Sequence, residues 1–415
     1  MTERLSLPKD KIRVLLLEGV HESAVAAFAS AGYSSVKSLS KALDREHLLK
    51  AVKGVHIIGI RSRTHLTEEI FAAADRLLAV GCFCIGTNQV DLEAATRRGI
   101  PVFNAPFSNT RSVAELAIGE IVMLMRGIFP KSVAAHAGDW IKSSANSWEV
   151  RGKTLGIIGY GNIGSQLSVL AEAMGMRVIY YDILNKLPHG NASQIEKMDD
   201  LLAQADVVSL HVPQTRETDN MFGAAQLASM KKGSFLLNNA RGTVVDINAL
   251  AHALRSGHLL GAAVDVFPKE PAANGEPFVS ALQGLNNVIL SPHIGGSTAE
   301  AQERIGVEVG RKLTDYSDTG TTIGAVNFPQ AQLPARPKGT RFIHVHHNAP
   351  GMLAKIIDVF ARRGINIASQ YLQTEGTTGY VVVDADGATD DSEALLKELR
   401  DLPGTLRARL LYARC

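Results

Sequence analysis

One glycine-rich turn constrains the fold of this chain more than any other feature. Residues 159–164 read Gly-Tyr-Gly-Asn-Ile-Gly, directly after the apolar run Thr154–Ile158 and before a segment with apolar residues at helical spacing. The glycine pattern alone is common, but a strand, this turn and a helix together form a dinucleotide-binding fingerprint. The next apolar run ends in Asp182. The segment therefore predicts a Rossmann-type βαβ unit.

Each residue of the turn has a distinct expected role. Gly159 permits the tight turn, Gly161 lets the backbone approach a pyrophosphate, and Gly164 lets the helix pack closely on the strand. The free N–H groups and the dipole of the helix N-terminus attract the phosphates. Asp182 can accept hydrogen bonds from ribose hydroxyls and repels a 2′-phosphate, which favours NAD over NADP. The alternative is a purely structural glycine turn.

Apolar runs alternate with helical patterns over most of the chain, which predicts βαβ units and parallel sheets. The first series of predicted strands is Ile12–Glu18, Val36–Leu39, Val55–Ile60, Leu77–Gly81 and Ile100–Phe103. The second series is Leu155–Gly159, Val178–Asp182, Val207–Val212, Phe235–Asn238, Ala262–Phe267 and Val288–Leu290. Six strands with intervening helices make a doubly wound sheet. The fold class is therefore α/β, with two Rossmann-like domains.

Two long helices are expected to connect these domains. Ser112–Arg126 has apolar residues at helical spacing, and Ser112 and Glu115 have the spacing of a capping box. Ala299–Leu313 is a second helical run that returns the chain to the first domain. The prediction is a discontinuous first domain, residues 1–108 and 297–336, with residues 109–296 inserted as the dinucleotide-binding domain.

The C-terminal part of the chain, residues 337–415, has a different pattern. Asn327–Lys338 contains three prolines and neither periodicity, so it is a linker candidate. The predicted order after it is strand Phe342–His347, helix Met352–Arg363, strand Ile365–Leu372, strand Tyr380–Asp384, helix Ser392–Leu402 and strand Thr405–Leu411. The order βαββαβ is that of a ferredoxin-like sandwich.

Composition narrows the possible partners. The 415 residues carry a net charge of only +2, so no basic field indicates nucleic acid as a partner. No apolar run approaches the length of a membrane span, and the N-terminus lacks a signal-peptide core. The cysteines, Cys82, Cys84 and Cys415, have no metal-ligand spacing and cannot form a disulfide framework. We expect no metal, no membrane and a reducing, cytoplasmic location.

Three residues suit hydride-transfer chemistry and follow predicted strands. Arg241, Glu270 and His293 come after the strands ending at Asn238, Phe267 and Leu290. Open α/β sheets bind ligands at the carboxyl ends of their strands. Histidine can take the proton of a hydroxyl, a carboxylate can stabilise the resulting imidazolium, and arginine can pair with a substrate carboxylate. Taken singly, each residue could equally be structural or solvated.

The first domain carries a second cluster of candidates. Arg61 follows the strand Val55–Ile60, and Asn109 lies in the loop before the predicted connecting helix. Both can bind the anionic part of a substrate, although polar residues are also ordinary in loops.

Longer stretches resemble the D-isomer-specific 2-hydroxyacid dehydrogenase family, in the branch whose bacterial members end in an ACT domain. The resemblance covers essentially the whole chain. The stretches that carry it include Arg61–Thr67, Gly81–Val90, Asn104–Val113, Leu155–Gly161 and Ser291–Thr298. It implies oxidation of 3-phospho-D-glycerate to 3-phosphohydroxypyruvate with NAD, the first committed step of serine biosynthesis.

The resemblance also assigns roles to individual residues. It implies Arg241 as carboxylate binder, Glu270 as the histidine partner and His293 as general acid/base. The implied cofactor contacts are Gly159, Gly161, Asn162, Ile163, Gly164, Asp182, Asn239, Ala240, Arg241, Asp265, His293, Ile294, Gly295 and Gly296. Arg61, Asn109 and Gln302 match positions that face the substrate phosphate. Trp140 and Lys142 match a segment that reaches a neighbouring subunit's active site.

The tail resembles an ACT effector loop. His346, Asn348 and Asn366 correspond to the family's serine site, and their side chains offer the donors and acceptors that a small zwitterion needs. The resemblance implies feedback inhibition by L-serine at a site between paired ACT domains. Pairing through ACT and NAD-binding domains together implies a homotetramer.

The chain departs from the family pattern at two positions, and two alternative functions stay open. Asn239 stands where the family usually has a small residue, and His347 where a close relative has Glu. Another 2-hydroxy acid, such as glyoxylate/hydroxypyruvate or 2-hydroxyglutarate, is an alternative substrate, and reduction of 2-oxoglutarate is a possible side activity. A non-catalytic NAD sensor would keep similar cofactor motifs, although the chain lacks extra interaction motifs.

Overall fold

A computed structural model describes residues 7–271, 275–334, 340–386 and 392–412. The chain divides into two compact units, Met1–Ser108 with Gln302–Cys415 and Asn109–Ala301. The first unit contains two sheets and the second unit one. The C-terminal segment therefore belongs to the same compact unit as the N-terminal sheet. The finer division into three domains stays a prediction.

The N-terminal sheet is parallel, as the alternating pattern predicted. Its strands and helices, in chain order, are β1 (Val14–Leu16), α1 (Glu22–Ser30), β2 (Val36–Ser38), α2 (Arg45–Ala51), β3 (Ile57–Ile60), α3 (Glu68–Ala73), β4 (Ala79–Cys82), α4 (Leu92–Arg97) and β5 (Val102–Phe103). The five strands are ordered β2-β1-β3-β4-β5. Strands β3 and β4 are buried along their whole length because helices cover both faces of the sheet.

The second unit is a doubly wound sheet with one more strand than predicted. Its elements are α5 (Thr110–Arg126), α6 (Ile128–His136), β6 (Thr154–Ile158), α7 (Asn162–Ala173), β7 (Arg177–Tyr181), β8 (Ser193–Gln194), α8 (Met198–Gln204), β9 (Val207–Leu210), α9 (Ala224–Ser229), β10 (Ser234–Asn238), α10 (Ile247–Arg255), β11 (Leu259–Val264) and β12 (Val288–Leu290). The order β12-β11-β10-β9-β6-β7-β8 places the glycine turn where the winding reverses. The unpredicted β8 is an exposed two-residue strand without an apolar residue, so it leaves no periodic signal.

The two connecting helices are present, but one local detail was wrong. Helix α5 begins at Thr110, so Ser112 lies inside it and no capping box with Glu115 forms. Ser112 is buried, and its hydroxyl instead lies 2.8 Å from the Thr298 hydroxyl. Helix α11 (Ala299–Thr319) extends six residues beyond the predicted end at Leu313. Within the extension, Tyr316 is buried in the core of the first unit.

The C-terminal sheet confirms the predicted ferredoxin-like order. Its elements are β13 (Thr340–His347), α12 (Met352–Arg362), β14 (Ile367–Glu375), β15 (Thr378–Ala385), α13 (Ser392–Asp401) and β16 (Thr405–Tyr412). The strands pair antiparallel in the order β14-β15-β13-β16. Of the predicted linker, residues 327–334 pack on the first unit, with Phe328 and Leu333 buried in its core. Residues 335–338 of the predicted linker lie outside the described residues.

Within the described part of the chain, we find no helix that is both long enough and apolar enough to span a membrane.

Candidate active site

The glycine turn adopts a backbone that only glycine can hold. Gly159 has φ +92°, and a Cβ there would lie 2.8 Å from the backbone carbonyl of His211, which directly follows the neighbouring strand β9. A Cβ on Gly164 would overlap the carbonyl oxygen of Gly159, so the first turn of α7 can pack against the loop only without one. Both constraints agree with the roles predicted from sequence.

The mouth of the turn has room for a ligand. A Cβ on Gly161 would meet no atom within 4 Å, so the space in front of the N-terminus of α7 is open on that side. The helix begins at Asn162 with Ile163 in its first turn, and Gly161 caps it without a side-chain hydrogen bond. The N-terminal N–H groups of α7 therefore suit a pyrophosphate.

Asp182 lies at the carboxyl end of β7, next to the same turn. Its two carboxylate oxygens accept hydrogen bonds from the Tyr160 N–H at 2.8 Å and the Leu184 N–H at 2.9 Å. These bonds fix the carboxylate beside the turn. Ile183 and Leu184, which follow it, are exposed and carry no positive charge to hold a 2′-phosphate. The geometry fits NAD, as predicted.

A buried aspartate organises the segment that carries the candidate general base. Asp265 is 1% exposed, directly after β11. Its carboxylate accepts hydrogen bonds from the Ser291 hydroxyl at 2.6 Å, the Ile294 N–H at 2.8 Å and the Gly295 N–H at 2.8 Å. Three bonds to residues on both sides of His293 hold its backbone in place. Sequence analysis placed Asp265, Ile294 and Gly295 among the cofactor contacts but did not predict this network.

His293 and Glu270 form the predicted pair. The His293 Nδ1 atom lies 2.9 Å from Glu270 Oε2, while Glu270 Oε1 accepts a hydrogen bond from the Phe267 N–H at 3.1 Å. His293 has φ +55°, a strained conformation for a non-glycine residue and one that is concentrated at functional sites. The hydrogen bond to Glu270 raises the pKa of His293, against burial and the positive charge of Arg241, which lower it. Burial raises the pKa of Glu270, but the bond to His293, the Phe267 N–H and the positive charges of His293 and Arg241 together outweigh it, and the net shift is downward.

Arg241 belongs to the same electrostatic cluster. Its charge acts on both Glu270 and His293, and its Nη1 donates a hydrogen bond to the Ala240 carbonyl at 2.7 Å. A Cβ on Gly242 would overlap the backbone of Phe267, so the two loops that carry Arg241 and Glu270 cross in direct contact. The structure therefore brings together all three residues that the sequence proposed for catalysis.

Sequence analysis missed a buried carboxyl group beside this cluster. Glu120 of α5 is 1% exposed, and its Oε2 accepts a hydrogen bond from the Asn239 side chain at 2.7 Å. Burial, aided by the charge of Asp265, raises the pKa of Glu120 to about 7. Asn239 is thus the partner of a buried acid as well as a predicted cofactor contact. The available signal was a glutamate in α5 at helical spacing from the apolar residues Ala117 and Leu124.

The remaining cofactor and substrate candidates lie in both units. Gly296 lies so close to Asn109 that a Cβ would overlap the Asn109 amide. Arg61 directly follows β3, Gln302 lies in the first turn of α11, and Lys142 lies in the exposed loop after α6. Their joint role in binding substrate stays a prediction.

The three effector candidates lie in the C-terminal sheet and its loops. His346 is 2% exposed, with its Nδ1 atom 3.3 Å from Nδ1 of His344, and burial lowers its pKa. The side chain of Asn348 donates to the Gly376 carbonyl at 3.1 Å, and that of Asn366 to Asp386 at 2.9 Å. Both asparagines are exposed, whereas His346 is not.

Comparison with known protein families gives separate matches for the dinucleotide-binding part and the C-terminal part of the chain. Residues 118–295 match the family described as D-isomer specific 2-hydroxyacid dehydrogenase, NAD binding domain, and residues 342–407 match the AHAS small subunit-like ACT domain. The chain is 57% identical over 409 residues to D-3-phosphoglycerate dehydrogenase of Escherichia coli K12, covering 99% of this chain and 100% of the relative. It is also 57% identical over 412 residues to the protein of that name from Haemophilus influenzae, with 99% and 100% covered.

A solved structure matches the larger part of the chain. The D-lactate dehydrogenase of Aquifex aeolicus, complexed with NAD and lactic acid, is 27% identical and has a TM-score of 0.67. The match covers 77% of this chain and 100% of that one.

Proposed function

This chain belongs to the family of D-isomer-specific 2-hydroxyacid dehydrogenases, and we propose that it oxidises 3-phospho-D-glycerate to 3-phosphohydroxypyruvate. It is an NAD-dependent oxidoreductase with a C-terminal ACT domain. The observation that carries the proposal is the His293–Glu270 pair beside Arg241, at the carboxyl ends of strands in a dinucleotide-binding sheet. Sequence identity of 57% along almost the whole chain to the D-3-phosphoglycerate dehydrogenases of Escherichia coli and Haemophilus influenzae supports the choice of substrate.

In the proposed reaction, His293 is the general base that takes the proton of the substrate's C2 hydroxyl. The N-terminus of α7 and Asp182 would hold NAD, which would supply the acceptor for the hydride of C2. Glu270 holds the ring of His293 through Nδ1, which leaves Nε2 to face the substrate, and it stabilises the imidazolium that forms. Arg241 binds the substrate carboxylate and polarises the oxygen that becomes the carbonyl. In the reverse direction, protonated His293 returns the proton.

The phosphate group of the substrate is assigned to Arg61, Asn109, Gln302 and, from a neighbouring subunit, Lys142. Arginine and lysine supply the positive charge that a dianionic phosphate needs, and the amides supply further donors. Lys142 is exposed, as are Trp140 and Ile141 before it, so the segment is available to a neighbouring copy. The proposal accordingly includes a homotetramer, tested by the mass of the protein in solution.

The proposal also includes feedback by L-serine at His346, Asn348 and Asn366. The exposed asparagines offer donors and acceptors for the carboxylate and amine of serine. Inhibition is then a coupling between effector binding and activity. His347, which stands where a close relative has Glu, is exposed beside this loop. We therefore expect the strength of serine inhibition to differ from that of the relative.

The deciding experiment is NADH formation with 3-phosphoglycerate, measured with and without L-serine. We expect turnover that NADP does not support and that millimolar serine reduces. Oxidation of a different hydroxy acid without oxidation of 3-phosphoglycerate refutes the substrate assignment. Full activity in serine refutes the regulatory part alone. NADH consumption with 2-oxoglutarate tests the side activity in the same assay.

A variant of the base separates an enzyme from a non-catalytic NAD sensor. With NAD at saturating concentration, we expect His293→Ala to lose turnover, because the hydroxyl proton then has no acceptor. Near-full turnover of this variant contradicts the assignment of His293.

A further inference from the structure

Glu18 has an unusual backbone conformation for its residue type. It lies two residues after β1, with φ +65°, in the left-handed region that a glutamate rarely occupies. Backbone hydrogen bonds from its N–H to the Lys41 carbonyl at 3.2 Å and from the Gly19 N–H to the Leu39 carbonyl at 2.9 Å hold it there. A conformation of this kind persists only where the surrounding structure over-determines it, and such residues cluster at functional sites.

The strained backbone aims the Glu18 carboxylate at one loop. Its Oε1 accepts hydrogen bonds from the Arg61 N–H at 3.1 Å and the Thr64 N–H at 2.8 Å, and its Oε2 accepts one from the Arg63 N–H at 2.9 Å. The residue is 8% exposed, so these charge-assisted bonds are shielded from water. Three donors from a four-residue segment converge on one carboxylate, which fixes the path of residues 61–64.

A second buried side chain holds the same segment by its carbonyl group. Gln89 is 3% exposed, and its amide donates a hydrogen bond to the Arg61 carbonyl at 2.7 Å and to the Gly86 carbonyl at 3.2 Å. The peptide groups on both sides of the Arg61 Cα are therefore held by buried side chains. Arg61 itself is half-buried and directly follows β3, so its side chain leaves the sheet in a direction set by these bonds.

We propose that Glu18 is a positioning residue for substrate phosphate: its carboxylate holds the Arg61–Thr64 backbone so that the Arg61 guanidinium meets the phosphate group. The inference rests on the proposed function, which assigns the phosphate to Arg61. Glu18 does not touch the substrate. It acts through Arg61, with Gln89 as its counterpart on the carbonyl side.

The test is a double-mutant cycle on oxidation of 3-phosphoglycerate by the full chain. Glu18→Gln keeps the shape of the side chain but loses the charge and replaces one accepting oxygen by an NH₂ group that opposes an N–H donor. We expect it to lower kcat/KM at least about tenfold, chiefly through KM, with NAD affinity unchanged. In an Arg61→Ala background the same change is expected to cost less than about threefold, because the residue through which it acts is gone.

Several outcomes overturn the proposal. Equal effects of Glu18→Gln with and without Arg61 show that Glu18 acts elsewhere, and an effect confined to kcat or to NAD affinity shows that it does not position a phosphate ligand. Asp44→Asn is the matched control, because Asp44 also accepts a backbone N–H in this unit, from His47 at 2.9 Å, but caps α2 instead. We expect it to leave kcat/KM within about twofold.

Two further measurements guard against misfolding and against failure of the premise. If Glu18→Gln does not fold, Gln89→Met removes the carbonyl-side bond and is expected to raise KM in the same way, and an unchanged KM refutes the proposal. Amide hydrogen exchange at Arg61, Arg63 and Thr64 is expected to be faster in Glu18→Gln. Unchanged exchange refutes the claim that the Glu18 carboxylate holds this backbone. A wild-type chain that does not oxidise 3-phosphoglycerate refutes the proposed function itself, while the exchange result still decides whether Glu18 holds the loop.

Discussion

At the scale of single residues, the centre of the proposed active site is defined by hydrogen bonds to carboxylates. Asp265 accepts from both sides of His293, and Glu270 orients the ring of His293 itself. This division of labour explains how His293 can hold a left-handed backbone and still present its ring consistently. One carboxylate fixes the main chain and the other the side chain.

Glu270→Gln should change the pH dependence of oxidation. The bond to Glu270 is the largest cause of the raised pKa of His293, while burial and Arg241 act in the opposite direction. Without the carboxylate the pKa falls, so neutral His293 is available at lower pH and the rise of kcat/KM moves to lower pH. The plateau is expected to fall on the order of 10- to 100-fold, because the imidazolium loses its partner.

A pH profile of kcat/KM for both proteins checks this prediction. Glu196→Gln, an exposed carboxylate of the same unit, serves as the control. A profile of Glu270→Gln that coincides with that of the wild type contradicts the role given to the pair.

Glu120→Gln should stabilise the protein at high pH and not at low pH. The folded pKa of Glu120, about 7, lies above its ordinary value of 4.5, so the folded state binds this proton more tightly than the unfolded state does. In the wild type, the contribution of protonated Glu120 to the free energy of unfolding is fully present below pH 4.5. It is lost as pH rises through 7, to the extent of about 3 kcal/mol. Glutamine keeps an acceptor for Asn239 without a charge.

Urea unfolding of both proteins between pH 5 and 8 measures the effect. The gain of Glu120→Gln should grow with pH, whereas Glu115→Gln, on the exposed side of the same helix, should show no such trend. A pH-independent difference for Glu120→Gln means that the group does not titrate in this range.

At the scale of elements, the carboxyl ends of β10 and β11 are where backbone packing and chemistry meet. Gly242 lies directly after Arg241 and against the backbone of Phe267, three residues before Glu270. The short 3-10 turn Gly242–Val244 can pass that close only without a side chain. The distance between Arg241 and Glu270 therefore depends on one missing methyl group.

Gly242→Ala should remove most of the activity and destabilise the fold by about 1–3 kcal/mol, since one of the two crossing loops must move. Gly119→Ala is the matched control, because a Cβ at that position in α5 meets no atom within 4 Å. It should instead stabilise the helix by about 1 kcal/mol. Thermal unfolding and kcat are measured for both variants. The same change in melting temperature and in kcat for Gly242→Ala and Gly119→Ala contradicts the prediction.

At the scale of the whole molecule, the C-terminal sheet is part of the first compact unit. Ile343, Val345 and Tyr380 of that sheet share one apolar core with Phe103 and Tyr316. The Arg407 guanidinium donates a hydrogen bond to the Leu77 carbonyl at 2.7 Å, in the N-terminal domain. Polar and apolar contacts thus connect the ACT domain with the sheet that carries Arg61.

Arg341→Ala tests how strongly this junction holds. Arg341 is fully buried, pairs with both oxygens of Asp384 at 2.6 and 2.7 Å, and donates to the carbonyls of Thr319 and Pro334 at 3.0 Å. Its removal takes two charge-assisted hydrogen bonds from a nearly buried carboxylate, so we expect a loss of about 3–5 kcal/mol. Arg311→Ala, an exposed arginine on α11, should cost roughly 0.5 kcal/mol or less. Urea unfolding distinguishes the two variants, and equal losses refute the prediction.

Local sequence patterns were sufficient to predict the main strands and helices, although not the short strand β8, and the residue types at their ends. Apolar runs, the glycine turn and the βαββαβ order have local causes, such as periodicity and backbone freedom, so they can be predicted one segment at a time. For the same reason, the strand that precedes each of Arg241, Glu270 and His293 was identifiable.

Several contacts between segments far apart in sequence could not be predicted and became visible only in the folded structure. Helix α5 buries Ser112 against Thr298 instead of using it as a cap, and Glu120 meets Asn239 across the same unit. Glu18 finds Arg61, and the C-terminal sheet joins the N-terminal core. These contacts depend on the packing of whole elements, because a polar group buried by that packing must find its partner wherever the fold brings one.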